Sequence, residues 1–485
     1  MAIRTMRTRR GREPRGWSAR TSAALLPPLK ASAAVLAACL LIAALSPGLP
    51  AGQPDLYRPE EGRPQGNTEW YFAEGSTRAG FEEWLLLFNP GPDDALVEVE
   101  YMVERGINRT RYYPLAARSR LNVYVNQEVG SGHDLGLKAT SDRFFLAERA
   151  MYFNYEGSWR GGYSYPGVNS PSNEWYFAEA GAGPLRDCWL SLLNPGDQEC
   201  RAEVFFVRDG GENIALPIAL PDRRRVTVNV NELAEPWSDF FIMVMSDEPI
   251  VAERAEFFSY QDAWVGGFAT AGATSPSEDL YFASLGALPD RDTWLVLANP
   301  GVADAEVKVK SVFAPDDQVE SVLFLPGLSR QAFSLSQLTG REGECSVRLA
   351  SDRPIVGEAT AYFSIDPERT GGACIPGSAY TASRWYLAGG STLSDFQGWL
   401  ELACFDDEPA RVALYVYSGG EAKLHNLAVE PLSRVCLPLD QLGPADSDIS
   451  CEIVSDRDIL VQQSTYFLYH GLWGGGDAET AWPAP

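Results

Sequence analysis

The stretch Trp70-Tyr71-Phe72-Ala73-Glu74-Gly75 decides how the chain is read. It returns as Trp175-Tyr176-Phe177-Ala178-Glu179, then as Leu280-Tyr281-Phe282-Ala283, then as Trp385-Tyr386-Leu387-Ala388, each copy 105 residues after the last. A second marker, Trp84, recurs with the same step at Trp189, Trp294 and Trp399. A fixed period sets fold and domain count together. The 485-residue chain therefore divides into four units of about 100 residues. That is the usual size of a β-sandwich, and large enough for each unit to bury a core of its own.

Superimposing the four copies separates inward from outward positions. Leu85, Leu190, Leu295 and Leu400 stay Leu, as do Leu87, Leu192, Leu297 and Leu402. Between them stand Leu86, Ser191, Val296 and Glu401, a mixture expected at a solvated position. Period-2 alternation then places the paired leucines in the core. Val97, Ala202, Val307 and Val412 repeat the pattern with Val99, Val204, Val309 and Leu414, while Glu98, Glu203, Lys308 and Ala413 face out. The strand beginning at Arg120 turns Val123, Val228, Phe333 and Leu437 inward, with Val125, Val230, Leu335 and Leu439. Asn89-Pro90-Gly91, Asn194-Pro195-Gly196 and Asn299-Pro300-Gly301 are turns, with Pro fixing φ and Gly freeing it. The expected architecture is all-β: four tandem antiparallel β-sandwich units of immunoglobulin-like form, each of about seven strands. The units span residues 68–171, 172–276, 277–381 and 382–485.

Ahead of them, residues 1–51 read as a signal peptide or membrane anchor, and 52–67 as a linker rich in Pro, Gly, Glu and Gln. Ala31 to Leu45 is an apolar run behind a basic segment, followed by small residues and helix breakers, which is the order of an export signal. The run is short for a membrane span, which needs roughly 20 residues. An extracytoplasmic protein is expected, secreted or tethered to the membrane by this segment. The net charge is −25, and the excess of seven positive charges in residues 1–50 leaves −32 on the remainder. So acidic a chain repels nucleic acid and anionic lipid.

Some polar residues recur with the period. Arg120, Arg225, Arg330 and Arg434 occur in every unit; Glu148, Glu253 and Glu358 occur in three, with Gln462 in the fourth. Glu148 shares an apolar face with Leu146, Ala150 and Tyr152, so its carboxylate needs a partner. Gln462 keeps the shape without the charge, which favours a hydrogen-bonding role over acid–base chemistry. These residues are expected to satisfy backbone groups or an Arg inside the sandwich. Trp84, Trp189, Trp294 and Trp399 allow two readings. Strict alternation turns them outward, as a stacking platform for a ligand such as a sugar. A bulge or late strand start would instead let each ring plug the sandwich end.

Seven cysteines follow the apolar run. Cys188 and Cys200 flank the turn of the second unit with the same inward parity and form the best disulfide candidate. No C-x-x-C pair occurs, and the three histidines share no repeat position. No catalytic residue, metal ligand or cofactor is expected.

The motif order resembles the sensory rhodopsin transducer type of β-sandwich, and exported bacterial proteins built from WYFAEG-type repeats. The shared features in the first unit are Trp70 with Ala73-Glu74-Gly75, Asn89-x-Gly91, Ala95-x-Val97, Arg118-x-Arg120 and Ser141. In the second unit they extend to Pro249-Ile250-Val251-Ala252-Glu253. The resemblance implies ligand binding, to sugars among others, and assembly through sandwich contacts. Together these features point to a non-enzymatic cell-surface array that acts as a multivalent interaction module or spacer, with a glycan or surface protein as partner. A carbohydrate-binding module array is the alternative, and an extracellular hydrolase with paired carboxylates a second one.

Overall fold

The computed structural model describes residues 68–208, 213–233 and 238–484. The expected export signal and linker lie outside them. Among the described residues no helix is long and apolar enough to cross a membrane.

The first unit shows the plan. Its strands are β1 (Glu69–Phe72), β2 (Phe81–Asn89), β3 (Ala95–Val103), β4 (Arg109–Leu115), β5 (Ser119–Tyr124), β6 (Leu135–Ser141), β7 (Leu146–Tyr155) and β8 (Trp159–Pro166). One sheet has the order β1-β6-β3-β4 and the other β5-β2-β7-β8. Every pairing is antiparallel. The unit is a sandwich of eight strands, one more than the alternation suggests. Leu85, Leu87, Val97 and Val99 meet between the sheets, fully buried. Asn89 holds the β2–β3 turn with its side chain. It accepts the Gly91 amide at 2.9 Å and donates to the carbonyls of Asp93 and Leu115 at 2.9 and 3.3 Å. Asn194 and Asn299 do the same in their own turns.

In the later units the counterparts of β6 and β7 run on as one strand: Ser238–Tyr260, Gly343–Ser364 and Ser450–Tyr469. Each pairs in the first sheet with its leading half and in the second sheet with its trailing half.

The four sandwiches close into a cycle. The β8 strand and its counterparts Trp264–Ala271, Thr370–Pro376 and Trp473–Thr480 pack side by side, each against the next and the fourth against the first. Glycine permits this approach. A methyl added at Gly266 would stand 2.7 Å from the Cα of Gly371, and one at Gly475 would stand 3.1 Å from the Cα of Gly161. The neighbouring glycines receive aromatic rings in the same rotation. Phe467 lies over Gly162, Phe153 over Gly267, Phe258 over Gly372 and Phe363 over Gly476.

Three expectations change. Ala413, expected to face out, is buried in a cluster with residues of the first unit. Leu86, Ser191, Val296 and Glu401 are buried rather than solvated. The face that carries them is covered by the preceding unit. Val296, Ala298 and Val356 of the third unit share one apolar cluster with Tyr176, Ala178 and Phe241 of the second. Cys188 and Cys200 are not bridged. Both are free, and both lie in the same core as their parity implied. However, Cys188 lies near the start of the strand Arg186–Asn194 whereas Cys200 pairs with Leu220, beside Asn194 at its far end. Six residues of strand separate those ends by about 20 Å, far more than the roughly 7 Å between Cα atoms that a disulfide spans.

Candidate functional site: the junctions between units

The recurring polar residues converge on the four junctions. Each unit turns them toward the unit before it. Glu253 shows the pattern. It sits on the long strand of the second unit and reaches into the first, where it accepts the amides of Ala73 and Glu74 at 2.9 and 3.1 Å. The opening motif ends its strand there and leaves those two amides without a ladder partner. Arg149 of the first unit ion-pairs with Glu253 at 2.8 Å and lies 3.5 Å from Glu74. Arg149 and Glu253 have fully buried side chains. Tyr163 donates to Glu74 at 2.9 Å. Arg225 donates to the carbonyls of Gly75 and Leu135, the latter at 3.1 Å. Close by, burial pushes the Glu83 carboxyl up to about 8 against the pull of Arg149.

The second junction repeats the scheme with more charge. Glu358 accepts the Glu179 amide at 3.0 Å and pairs with Arg254 at 3.1 Å. Arg330 and Arg186 both bind Glu179 at 2.5 Å. Burial alone would raise the Glu179 carboxyl, but Arg330 and Arg186 outweigh it and hold the group at about 2.

At the third junction Gln462 takes the glutamate's place. It accepts the amides of Ala283 and Ser284 and donates to the Ser284 carbonyl at 3.3 Å. The arginine is lost with the charge, because Ala359 stands where Arg149 and Arg254 stand in the earlier units. A neutral cap with a neutral partner avoids a buried, unmatched charge. Arg434 still reaches back, to Ser284 at 3.2 Å and to Glu344 at 2.7 Å. Burial raises the Glu401 carboxyl to about 8, with the Ser464 hydrogen bond opposing.

The fourth junction closes the cycle. Glu148 accepts the Gly389 amide at 2.6 Å, and Arg120 donates to the carbonyls of Gly390 and Ile449 at 2.9 and 3.1 Å. Trp70 meets Trp482 edge to face, with ring centroids 5.3 Å apart. A cavity of about 10 Å³ lies among Trp70, Leu146, Glu148, Tyr386, Ala388 and Trp482.

The second tryptophan belongs to the same surfaces. Trp84, Trp189 and Trp294 donate their indole N–H at 3.2 Å to Tyr469, Tyr155 and Tyr260 of the preceding unit. Those hydroxyls donate onward to Glu82, Asp187 and Asp292. At the third junction Ile365 replaces the tyrosine, and Trp399 lies edge to face against Tyr466 of its own unit. The tyrosine rings also stack across the junctions. Tyr155 lies 4.1 Å from Phe257, Tyr260 3.9 Å from Tyr362, and Tyr469 3.7 Å from Tyr152. Tyr260→Phe removes the acceptor of Trp294 and the donor to Asp292 together. We expect it to cost about 1–2 kcal/mol in urea unfolding, the scale of one or two buried hydrogen bonds.

The structure thus brings the Glu/Gln, Arg and Trp sets of the sequence into one recurring surface. The Glu/Gln set acts between sandwiches, where the sequence suggested the interior of a single one, and the Trp set lies at the same junctions. Sequence reasoning missed Arg149, Arg254, Tyr155, Tyr260, Tyr469 and the axial glycines. The glycine pairs recur in every unit, so their period was the available signal.

No family model matches the chain, and no curated protein matches it. Among solved structures, the crystal structure of Thermotoga maritima 1070 aligns over 21% of this chain and 95% of its own, with 14% identity and a TM-score of 0.20. The Streptomyces avermitilis alpha-L-rhamnosidase complexed with L-rhamnose aligns over 77% of this chain and 54% of its own, with 8% identity and a TM-score of 0.11. Both likenesses are too slight to carry a conclusion about this chain.

Proposed function

We propose that this protein is a non-enzymatic, extracytoplasmic interaction scaffold: a four-sandwich cycle that holds several outward faces in fixed relation. One contrast carries this reading. The Glu/Gln, Arg and Trp residues that repeat are drawn into the junctions, and the residues on the outer edge strands differ from unit to unit. Tyr112 is exposed on β4, Val322 and Phe324 on Asp317–Leu325, and Leu424 on Glu421–Val429. The corresponding strand of the second unit, Ile214–Leu220, exposes Ala215, Pro217 and Ala219 instead. Distinct faces on a common frame suit distinct contacts or one extended partner, and a fixed frame adds avidity without new contacts. A surface protein or a glycan is the partner class such faces take.

Glycan-array and cell-envelope retention assays test the reading. Tyr112→Ser and Phe324→Ser are expected to lower retention at least severalfold with unfolding unchanged, because exposed substitutions cost little stability. Retention that is absent from the parent, or indifferent to all the edge strands, would sink it.

A further inference from the structure

The fourth junction differs from the others in its chemistry. It is also the one junction whose two units are not consecutive in the chain. Arg149 and Arg254 balance the capping glutamates at the first two junctions, and Ala359 faces a neutral cap at the third. At the fourth the cap is again a glutamate, Glu148, but the arginine's place is taken by Gln463. Two more acids stand nearby. Glu479 pairs with Gln463 across the strands, and Asp477 pairs with Thr465. The matching sites in the other units are Tyr165, Thr270 and Ile375 for Glu479, and Tyr163, Phe268 and Ala373 for Asp477. Only the fourth unit has carboxyls there.

All three side chains are buried, Glu148 and Glu479 to 2% exposure and Asp477 to 6%. Glu148 accepts from Gly389, and Asp477 accepts the Ser164 amide and hydroxyl at 2.9 and 3.1 Å. Their charged neighbours are few. Arg120 faces the group from β5 but binds backbone carbonyls and lies 3.6 Å from Asp448, which is partly exposed. Tyr152 and Tyr469 stack above, and Gln463 donates weakly to Glu479 at 3.5 Å. Three carboxyls so enclosed with one engaged cation cannot all ionise without a large cost.

We propose that the junction between the fourth and first units is a proton-dependent seam, closed while Glu148, Asp477 and Glu479 retain protons and loosened as they ionise. The electrostatics run the same way. Burial raises all three carboxyls; Asp477 reaches about 7, and the charges of Glu148 and Asp477 lift Glu479 further. Groups bound more tightly to protons in the folded state stabilise it at low pH. That contribution declines as pH climbs from the ordinary carboxylate range through about 7.

Hydrogen exchange of the full chain tests the seam, because equivalent amides report on the other junctions in the same sample. The Gly389 amide reads the fourth junction, and those of Ala73, Glu179 and Ser284 read the rest. Between about pH 5 and pH 8.5, protection at Gly389 is expected to fall roughly tenfold relative to Glu179. Gln463→Arg supplies the missing cation and is expected to remove the fall. Glu479→Gln, which keeps the shape and removes one charge, is expected to halve it or better. Protection at Gly389 that keeps pace with Glu179 across the range would overturn the proposal. So would a fall that survives undiminished in Glu479→Gln.

Discussion

Arg149→Ala is expected to destabilise the protein by about 3–5 kcal/mol, the usual cost of breaking a buried ion pair from one side. Arg149 is the cation that faces both Glu253 and Glu74, and removing it strands two carboxylates in a dry junction. The chain also supplies the remedy. At the third junction nature has placed alanine at this site, glutamine at the cap and serine at the motif position, as Ala359, Gln462 and Ser284. Arg149→Ala combined with Glu253→Gln should therefore recover more than half of the loss, and Glu74→Ser should complete the conversion. Denaturant unfolding of the two single variants and the double variant gives the coupling energy directly. We expect about 2 kcal/mol or more, at the upper end for residues in contact. Additive losses would show that Arg149 acts by packing over Phe72 and Tyr163 rather than by charge.

Gly266→Ala is expected to be comparably damaging, at about 3 kcal/mol or more. Overpacking a tight core costs about 1–3 kcal/mol when side chains can shift, and here the obstruction is main chain. The added methyl would meet Gly371 at its Cα and carbonyl carbon, 2.7 and 3.1 Å away. Relief requires one axial strand to move, and each axial strand is wedged between two others. Calorimetry should show a lower melting temperature. Gly196→Ala, whose nearest neighbour is the Asn194 side chain at 3.2 Å, should cost less.

The all-β sandwich was legible in the sequence because alternation answers to a local cause. Leu85, Leu87, Val97 and Val99 meet each other within one unit, and all four copies agree. The junctions were harder to see. Leu86, Ser191, Val296 and Glu401 vary because each meets a different neighbour, and variation of that kind looks like solvent exposure. Glu148 and its counterparts stood out by recurrence, yet recurrence does not say which unit they serve. The arginine partner was hidden for a physical reason. Charge matching runs between successive units, so Gln462 answers to Ala359 in the unit before it. Comparing each copy with its equivalents conceals that offset. Comparing each cap with the preceding unit would have exposed it.

The rotation of the junctions has a consequence for assembly number. Every junction joins two unlike faces, a motif face on one unit and a Glu/Gln-capped face on the next. Contacts of that type either close into a ring or run on as a filament. Here the ring closes within one chain at four units, and both kinds of face are consumed. A chain opened at the bond between Glu148 and Gly389 would carry one of each, complementary to those on any other opened chain. Closure thus does more than add stability: it pairs every face of this kind within one chain and withholds the ends from which a polymer built on these junctions would grow.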